Sequence, residues 1–158
     1  MIKKTLLSFI LLISSLFADT LFQEGNEIVT KGKGVIMVFE SSTCPYCELL
    51  KKDFKQNKEM NALAKEFNIH FINKEIEREY SMGEKKRQET TTTLKMAFMA
   101  KNTPNIVIFD KHWNKIFQLP GYAHPGQMIT LMKFVKGLHE GKYKPSEWKK
   151  FLNDNGVG

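Results

Sequence analysis

The chain has two cysteines, and they stand three positions apart in Cys44-Pro45-Tyr46-Cys47. Two thiols at this spacing can close a disulfide on each other, or exchange one with another protein through a mixed disulfide. The thiolate is the attacking form, so the chemistry turns on what surrounds the sulfurs. An apolar run, Val35-Ile36-Met37-Val38-Phe39, precedes the pair. Glu48 to Phe54 follows it, with Leu50 and Phe54 about one helical turn apart. The pair is therefore expected where a buried strand gives way to the start of a helix. A helix N-terminus presents unsatisfied N–H groups and a partial positive charge. A thiol placed there drops below its free pKa of ~8.5. Cys44, expected exposed at the cap, is read as the nucleophile. Cys47, one turn in and more covered, is read as the resolving thiol that leaves an internal disulfide. Pro45 suits the first helical position, where its missing N–H costs nothing, and Pro45-Tyr46 tunes the potential of the pair.

Two plainer readings compete. One is a stabilising disulfide, but a bridge over so short a loop removes little chain entropy. The other is half a metal site. A four-ligand zinc site needs two more ligands, and beyond these cysteines the chain offers only the scattered His70, His112, His124 and His139. No metal and no cofactor is expected.

The elements that must position the cysteines can be read outward from them. Val35 to Phe39 is apolar throughout, as a strand buried on both faces is, and Glu40 to Thr43 is the loop to Cys44. Met60, Leu63 and Phe67 continue at helical spacing. Ile69 to Ile72 reads as the next strand, giving a βαβ unit whose crossover should be right-handed. Glu75 to Glu89 has nine charged residues in fifteen, so it is expected as a surface insertion, partly helical, that buries little. It is either a solvated excursion or a partner-docking flap. Thr90 to Thr93 supplies caps for a helix with Leu94, Ala97 and Phe98 on one face. Thr103-Pro104 heads the apolar strand Asn105 to Phe109, a position where proline lacks a ladder N–H and can be cis. Asp110 to Asn114 is a turn, and Lys115 to Leu119 completes an antiparallel hairpin. Pro120-Gly121-Tyr122 is a tight loop. Met128, Leu131, Met132, Val135 and Leu138 form an amphipathic stripe, and Lys144 to Asn153 reads as a short terminal helix anchored by Trp148 and Phe151.

The beginning of the chain is of another kind. Lys3 and Lys4 precede a twelve-residue apolar stretch, Leu6 to Phe17, broken only by serines. The stretch is too short for the ~20 residues of a membrane span and has the form of a signal peptide cleaved after Ala18. Export, to the periplasm, would place the remaining chain in an oxidising compartment. The chain thus divides into a signal peptide (1–18), a weakly patterned lead-in that is irregular or a short helix (19–33), one domain (34–140) and a C-terminal extension (141–158). Loss of the two early lysines lowers the net charge from +7 to +5. No basic run is interleaved with aromatics, so the charge reads as solvated surface and no nucleic-acid partner is expected.

The order strand, C-x-x-C helix, strand, helix, Thr-Pro, hairpin, helix, from about Gly34 to Leu138, resembles the thioredoxin fold. That is an α/β fold with a central mixed sheet flanked by helices, here with the charged insertion before the Pro strand. The resemblance rests on Cys44-Pro45-Tyr46-Cys47 and Thr103-Pro104. It implies that Pro104 is cis and lies against the cysteines, keeping metal away from them, and that the Thr103 backbone pairs with an extended substrate segment. Among such proteins, the exported SoxW type linked to bacterial sulfur oxidation is most similar, sharing a variable charged segment before Thr-Pro and a Pro-Gly-Tyr after the last strand. This implies substrate-binding roles for Gly121 and Tyr122 as well. There are departures. Thr43 stands where thioredoxins have Trp, and Val38 where they have a buried acid that serves proton transfer. Glu40 is the residue placed to substitute, directly or through water. No Gly-Gly pair opens the last helix, as in glutaredoxins. The segment from Glu75 to Asn102 is too short for the helical domain of DsbA-type oxidases, and no dimerisation domain of the DsbC type precedes the fold. The resemblance implies a monomeric thiol–disulfide oxidoreductase, acting mainly as a reductase of exported cysteine-containing proteins such as sulfur carriers or cytochromes, and recharged by a membrane thiol donor. Oxidase or isomerase chemistry would use the same residues in reverse. A copper carrier or an inert docking module is a third reading.

Overall fold

The computed structural model describes residues 20–157. The proposed signal peptide lies outside the described residues. No helix among them is long and apolar enough to cross a membrane.

The run of apolar residues before Cys44 becomes the centre of the molecule. Strand β2 (Gly34–Glu40) is flanked by β3 (Phe67–Asn73), parallel to it, and by β6 (Asn105–Phe109), antiparallel. Strand β7 (Lys115–Pro120) closes the sheet as a hairpin with β6, giving the order β3-β2-β6-β7. The alternation of a strand explains why β2 is apolar at every internal position. Ile36 and Val38 enter one core, and Val35, Met37 and Phe39 the other; all five are fully buried. The first core is closed by α1 (Pro45–Gln56), α2 (Lys58–Ala64) and α4 (Pro125–His139), through Leu50, Phe54, Met60, Met128, Met132 and Val135. The expected helical run through Phe67 stops at Ala64, and Phe67 opens β3 instead. The backbone turns there through the Glu66 N–H, which donates to the Leu63 carbonyl at 3.0 Å.

The second face is covered differently from expectation. The segment from Glu75 to Glu89 is not partly helical. It forms a hairpin of β4 (Glu79–Met82) and β5 (Arg87–Thr90), and β4 pairs in parallel with β1 (Glu27–Ile28) in a second, three-stranded sheet. The lead-in is therefore neither a helix nor wholly irregular. The charged residues conceal a period of two: Tyr80 and Met82 are buried in the second core, while Glu79 and Ser81 point away from it. Helix α3 (Thr91–Ala97) follows with a Thr90–Thr93 capping box. Its Leu94 is buried in the second core and Phe98 packs against it; Ala97, expected on that face, is exposed. After α4, a 3-10 turn (Pro145–Glu147) and α5 (Trp148–Asp154) lie on the first core. Phe151 packs on Phe134 and Tyr143, and Trp148 meets Phe117 edge-on.

Candidate redox site

Cys44 is the N-cap of α1 and Pro45 its first residue. The backbone leaves β2 through residues 41–43 and turns into the helix. The N–H groups of Cys47 and Glu48 donate to the Cys44 carbonyl at 3.0 and 3.2 Å. The Cys47 N–H also lies 3.2 Å from the Cys44 sulfur. This is the contact by which a helix N-terminus favours a thiolate. The two sulfurs are joined, with S–S 1.99 Å and Cα–Cα 5.2 Å. Cys47 is fully buried and Cys44 is 8% exposed. The order of accessibility is as expected, but Cys44 is less open than a free cap would be, because its sulfur is folded back over the helix end.

The other residues singled out in the sequence converge on this helix start. The Thr103–Pro104 peptide is cis and Pro104 is buried. The Thr103 hydroxyl lies 3.3 Å from that of Ser41, in the loop leading to Cys44. Neither the N–H nor the carbonyl of Thr103 has a backbone partner among the described residues. Gly121 holds the Pro104 loop from the other side: its N–H donates to the Pro104 carbonyl at 2.8 Å. Its φ of 116° is one that side-chain-bearing residues rarely adopt. Tyr122 next to it faces Tyr46, with ring centroids 5.8 Å apart, and donates its hydroxyl to Asp53 on α1 at 2.6 Å. Partial burial and the Asp53 carboxylate push the Tyr122 phenol up to about 12. Tyr46 is 60% exposed, so an aromatic surface borders the disulfide.

Glu40 ends β2 with its carboxylate 2.7 Å from Lys51, which also meets Glu48 at 2.9 Å. Desolvation lowers the Lys51 pKa, but the two carboxylates more than offset it and raise the group overall. Three residues that sequence reasoning missed complete the frame. Asp53 anchors Tyr122. The carboxylate of Glu75 accepts the Ser42 N–H at 2.9 Å, and Asn73 donates to the Ser42 hydroxyl at 3.2 Å. The start of the charged segment is thus built into the loop before Cys44. Nothing in residue type or spacing marks these contacts, since they join positions about 30 to 70 residues apart in sequence. Among the described residues, no three His, Cys, Asp or Glu side chains are grouped to hold a metal ion.

With this geometry in place, a family model described as a thioredoxin-like domain matches residues 21–136. Among solved structures, a thioredoxin-fold protein from Helicobacter pylori is 26% identical. That match covers 85% of this chain and 89% of that one at a TM-score of 0.75. A thioredoxin-like protein from Clostridium perfringens is 23% identical over 78% of this chain and 90% of that one, with a TM-score of 0.49. No curated protein matches the chain.

Proposed function

The chain belongs to the thioredoxin-like family, and from that membership we propose that it is an exported thiol–disulfide oxidoreductase that reduces disulfides in other exported proteins. The observation that carries the reading is the Cys44–Cys47 disulfide at the cap of α1, its first sulfur over a helix N–H and the unpaired Thr103 backbone beside the same loop. In the reduced protein the Cys44 thiolate attacks a substrate disulfide. A Cys44–substrate bond forms and the substrate's other sulfur leaves as a thiolate, which takes up a proton. Cys47 then loses its proton, with Glu40 as the acceptor directly or through water, and attacks the Cys44 sulfur. The Cys44–Cys47 bond forms and the substrate's second thiol is released. Two electrons have passed to the substrate, and a membrane thiol donor must return them. Thr103 would pair with the substrate backbone, while Pro104, Gly121 and Tyr122 shape the surface it lies on.

Export to the periplasm is supported by Lys3, Lys4 and the Leu6–Phe17 apolar stretch. A SoxW-type place in sulfur oxidation, or a place in cytochrome maturation, is supported by Cys44-Pro45-Tyr46-Cys47, the charged segment and Pro120-Gly121-Tyr122 together. Two variants test the roles. Cys44→Ser should abolish exchange, and Cys47→Ser should trap mixed disulfides with clients. A Cys47→Ser protein that captures nothing, with Cys44→Ser still active, would overturn the assignment. Equilibration against dithiothreitol decides direction. A potential near that of thioredoxin, about −270 mV, supports a reductase, and one near −120 mV makes the protein an oxidase or isomerase.

A further inference from the structure

We propose that the groove beside the redox pair, between the end of α3 and the start of the charged segment, selects clients whose reactive cysteine stands beside an apolar side chain flanked by acidic residues. This rests on the oxidoreductase reading and names its client class. The groove, of about 720 Å³, is lined by Lys74, Glu75, Lys95, Met96, Met99 and Lys101. Met96 and Met99 are 70% and 73% exposed, the most exposed large apolar side chains among the described residues. Apolar surface left open in this way marks a contact site, and methionine, flexible and polarisable, suits a surface that must accept varied partners.

The backbone gives an independent sign. Helix α3 ends in a Schellman turn: the Ala100 N–H donates to the Lys95 carbonyl at 2.9 Å, and the Met99 N–H to the Met96 carbonyl at 3.1 Å. The residue at the left-handed position of that turn is usually glycine. Here it is Met99, with φ 46°. A long side chain is held outward at a position where the backbone would relax without it, and strain of this kind collects at functional surfaces.

Charge decides the occupant. Among the described residues, none of Lys74, Lys95 and Lys101 has a carboxylate within ion-pair distance. Glu75, the one carboxylate in the lining, is bound to the Ser42 N–H. Glu77, near Lys95, accepts from Thr92. Three lysines against the one carboxylate leave the lining net positive around the two exposed methionines, the complement of an apolar side chain among acidic neighbours. Position ties the groove to the chemistry. Glu75 bonds the loop two residues before Cys44, and Lys74 donates to the carbonyl of Lys101, two residues before Thr103. A client segment lying along Thr103 with its sulfur at Cys44 runs on into this groove. A concave groove fits an extended chain better than it fits a lipid surface.

The test compares two synthetic peptides with the same disulfide and the same leucine beside it, one flanked by Asp and the other by Lys, with neutral hydroxyethyl disulfide as the small reference. With the protein reduced beforehand, the acidic peptide should react about tenfold faster than the basic one at low salt, a gap that narrows as salt rises. Lys95→Glu with Lys101→Glu should reverse the preference. Met96→Ser and Met99→Gly should each lower the ratio of acidic-peptide to reference rates several-fold. Met99→Gly places the residue that this backbone favours, so its effect cannot be put down to misfolding. Equal rates for the two peptides would overturn the inference. So would a concentration-dependent dimer that Met96→Ser dissolves, which would make the groove a self-association face, or binding to anionic vesicles without peptide selectivity. Failure of the unmodified protein to exchange even with hydroxyethyl disulfide would overturn the oxidoreductase reading, and this inference with it.

Discussion

Acid should unfold this protein partly through one residue, His70. It lies on β3, 4% exposed, on the wall of a cavity shared with Glu24, Lys51, Arg78 and Tyr80. Burial pushes its imidazole down to about 4, against an ordinary value of 6.5. The folded state therefore resists a proton that the unfolded state accepts. The contribution of neutral His70 is fully present above pH 6.5 and is lost as pH falls from 6.5 toward 4. Integrating the difference in proton binding between those two values gives a loss of about 2 kcal/mol by pH 5 and about 3 kcal/mol by pH 4. Urea denaturation at pH 7, 6, 5 and 4 on the unmodified protein and on His70→Gln measures it. The variant does not titrate at this position, so the two stability curves should converge as the pH falls, by roughly those amounts. His139 is also depressed, by desolvation first and by Lys111 next, but it is present in both proteins and cancels in the comparison. Curves that run parallel from pH 6.5 to 4, or an NMR titration of the His70 ring near 6.5, would refute the reasoning.

Two further predictions concern the packing that frames the site. Tyr122→Phe removes the 2.6 Å bond to Asp53 and should cost about 1.5–3 kcal/mol, the range for hydrogen bonds to charged groups. Because the phenol is raised, this stabilisation is full below pH 10 and fades as pH rises toward 12, so unmodified and variant denaturation midpoints should converge there. Gly137→Ala drives a Cβ into the Tyr143 ring, which stacks on Phe134. Overpacking there should cost about 1–3 kcal/mol and loosen residues 143–154, seen as faster proteolysis of the C-terminal segment; an unchanged cleavage rate would show that α5 does not depend on this contact.

The parts of the fold legible in the sequence were those with an unbroken physical signal. The five consecutive apolar residues Val35 to Phe39 read as a strand covered on both sides, and Thr103-Pro104 ahead of Asn105 to Phe109 marks the start of another, which the fold pairs with the first. The second sheet is masked by the high charge of Glu75–Glu89 taken as a whole. The informative feature was the alternation Glu79-Tyr80-Ser81-Met82, two apolar residues on one face among nine charges. β1 has only two residues, fewer than any periodicity can reveal. In the site, spacing marks Cys44 and Cys47, and the resemblance adds Thr103, Pro104, Gly121 and Tyr122. The bonds that lock them, from Asp53, Ser41, Asn73 and Glu75, depend on which distant loops the fold brings together.

That second sheet bears on the site itself. Thr91, 1% exposed, accepts the Arg78 N–H at 3.0 Å and donates to the Ile76 carbonyl at 2.8 Å, so the first residue of α3 fixes the strand's approach. Glu77 is tied to Thr92, and the Ser81 N–H to the Asn26 carbonyl. The segment that carries nine charges is thereby held at its near end, where Lys74 and Glu75 reach the cis-Pro loop and the loop before Cys44. The Ser42 N–H and, less strongly, its hydroxyl hold the Glu75 pKa below the usual carboxylate range, so its negative charge persists close to the cysteines. A thiolate at Cys44 feels that charge as repulsion, against the attraction of the helix end. The potential of the pair is therefore set by a balance of nearby charges as well as by Pro45-Tyr46. Glu75 thus joins two parts of this region, since its carboxylate holds the loop before Cys44 and it also lines the groove that carries Lys74, Lys95 and Lys101.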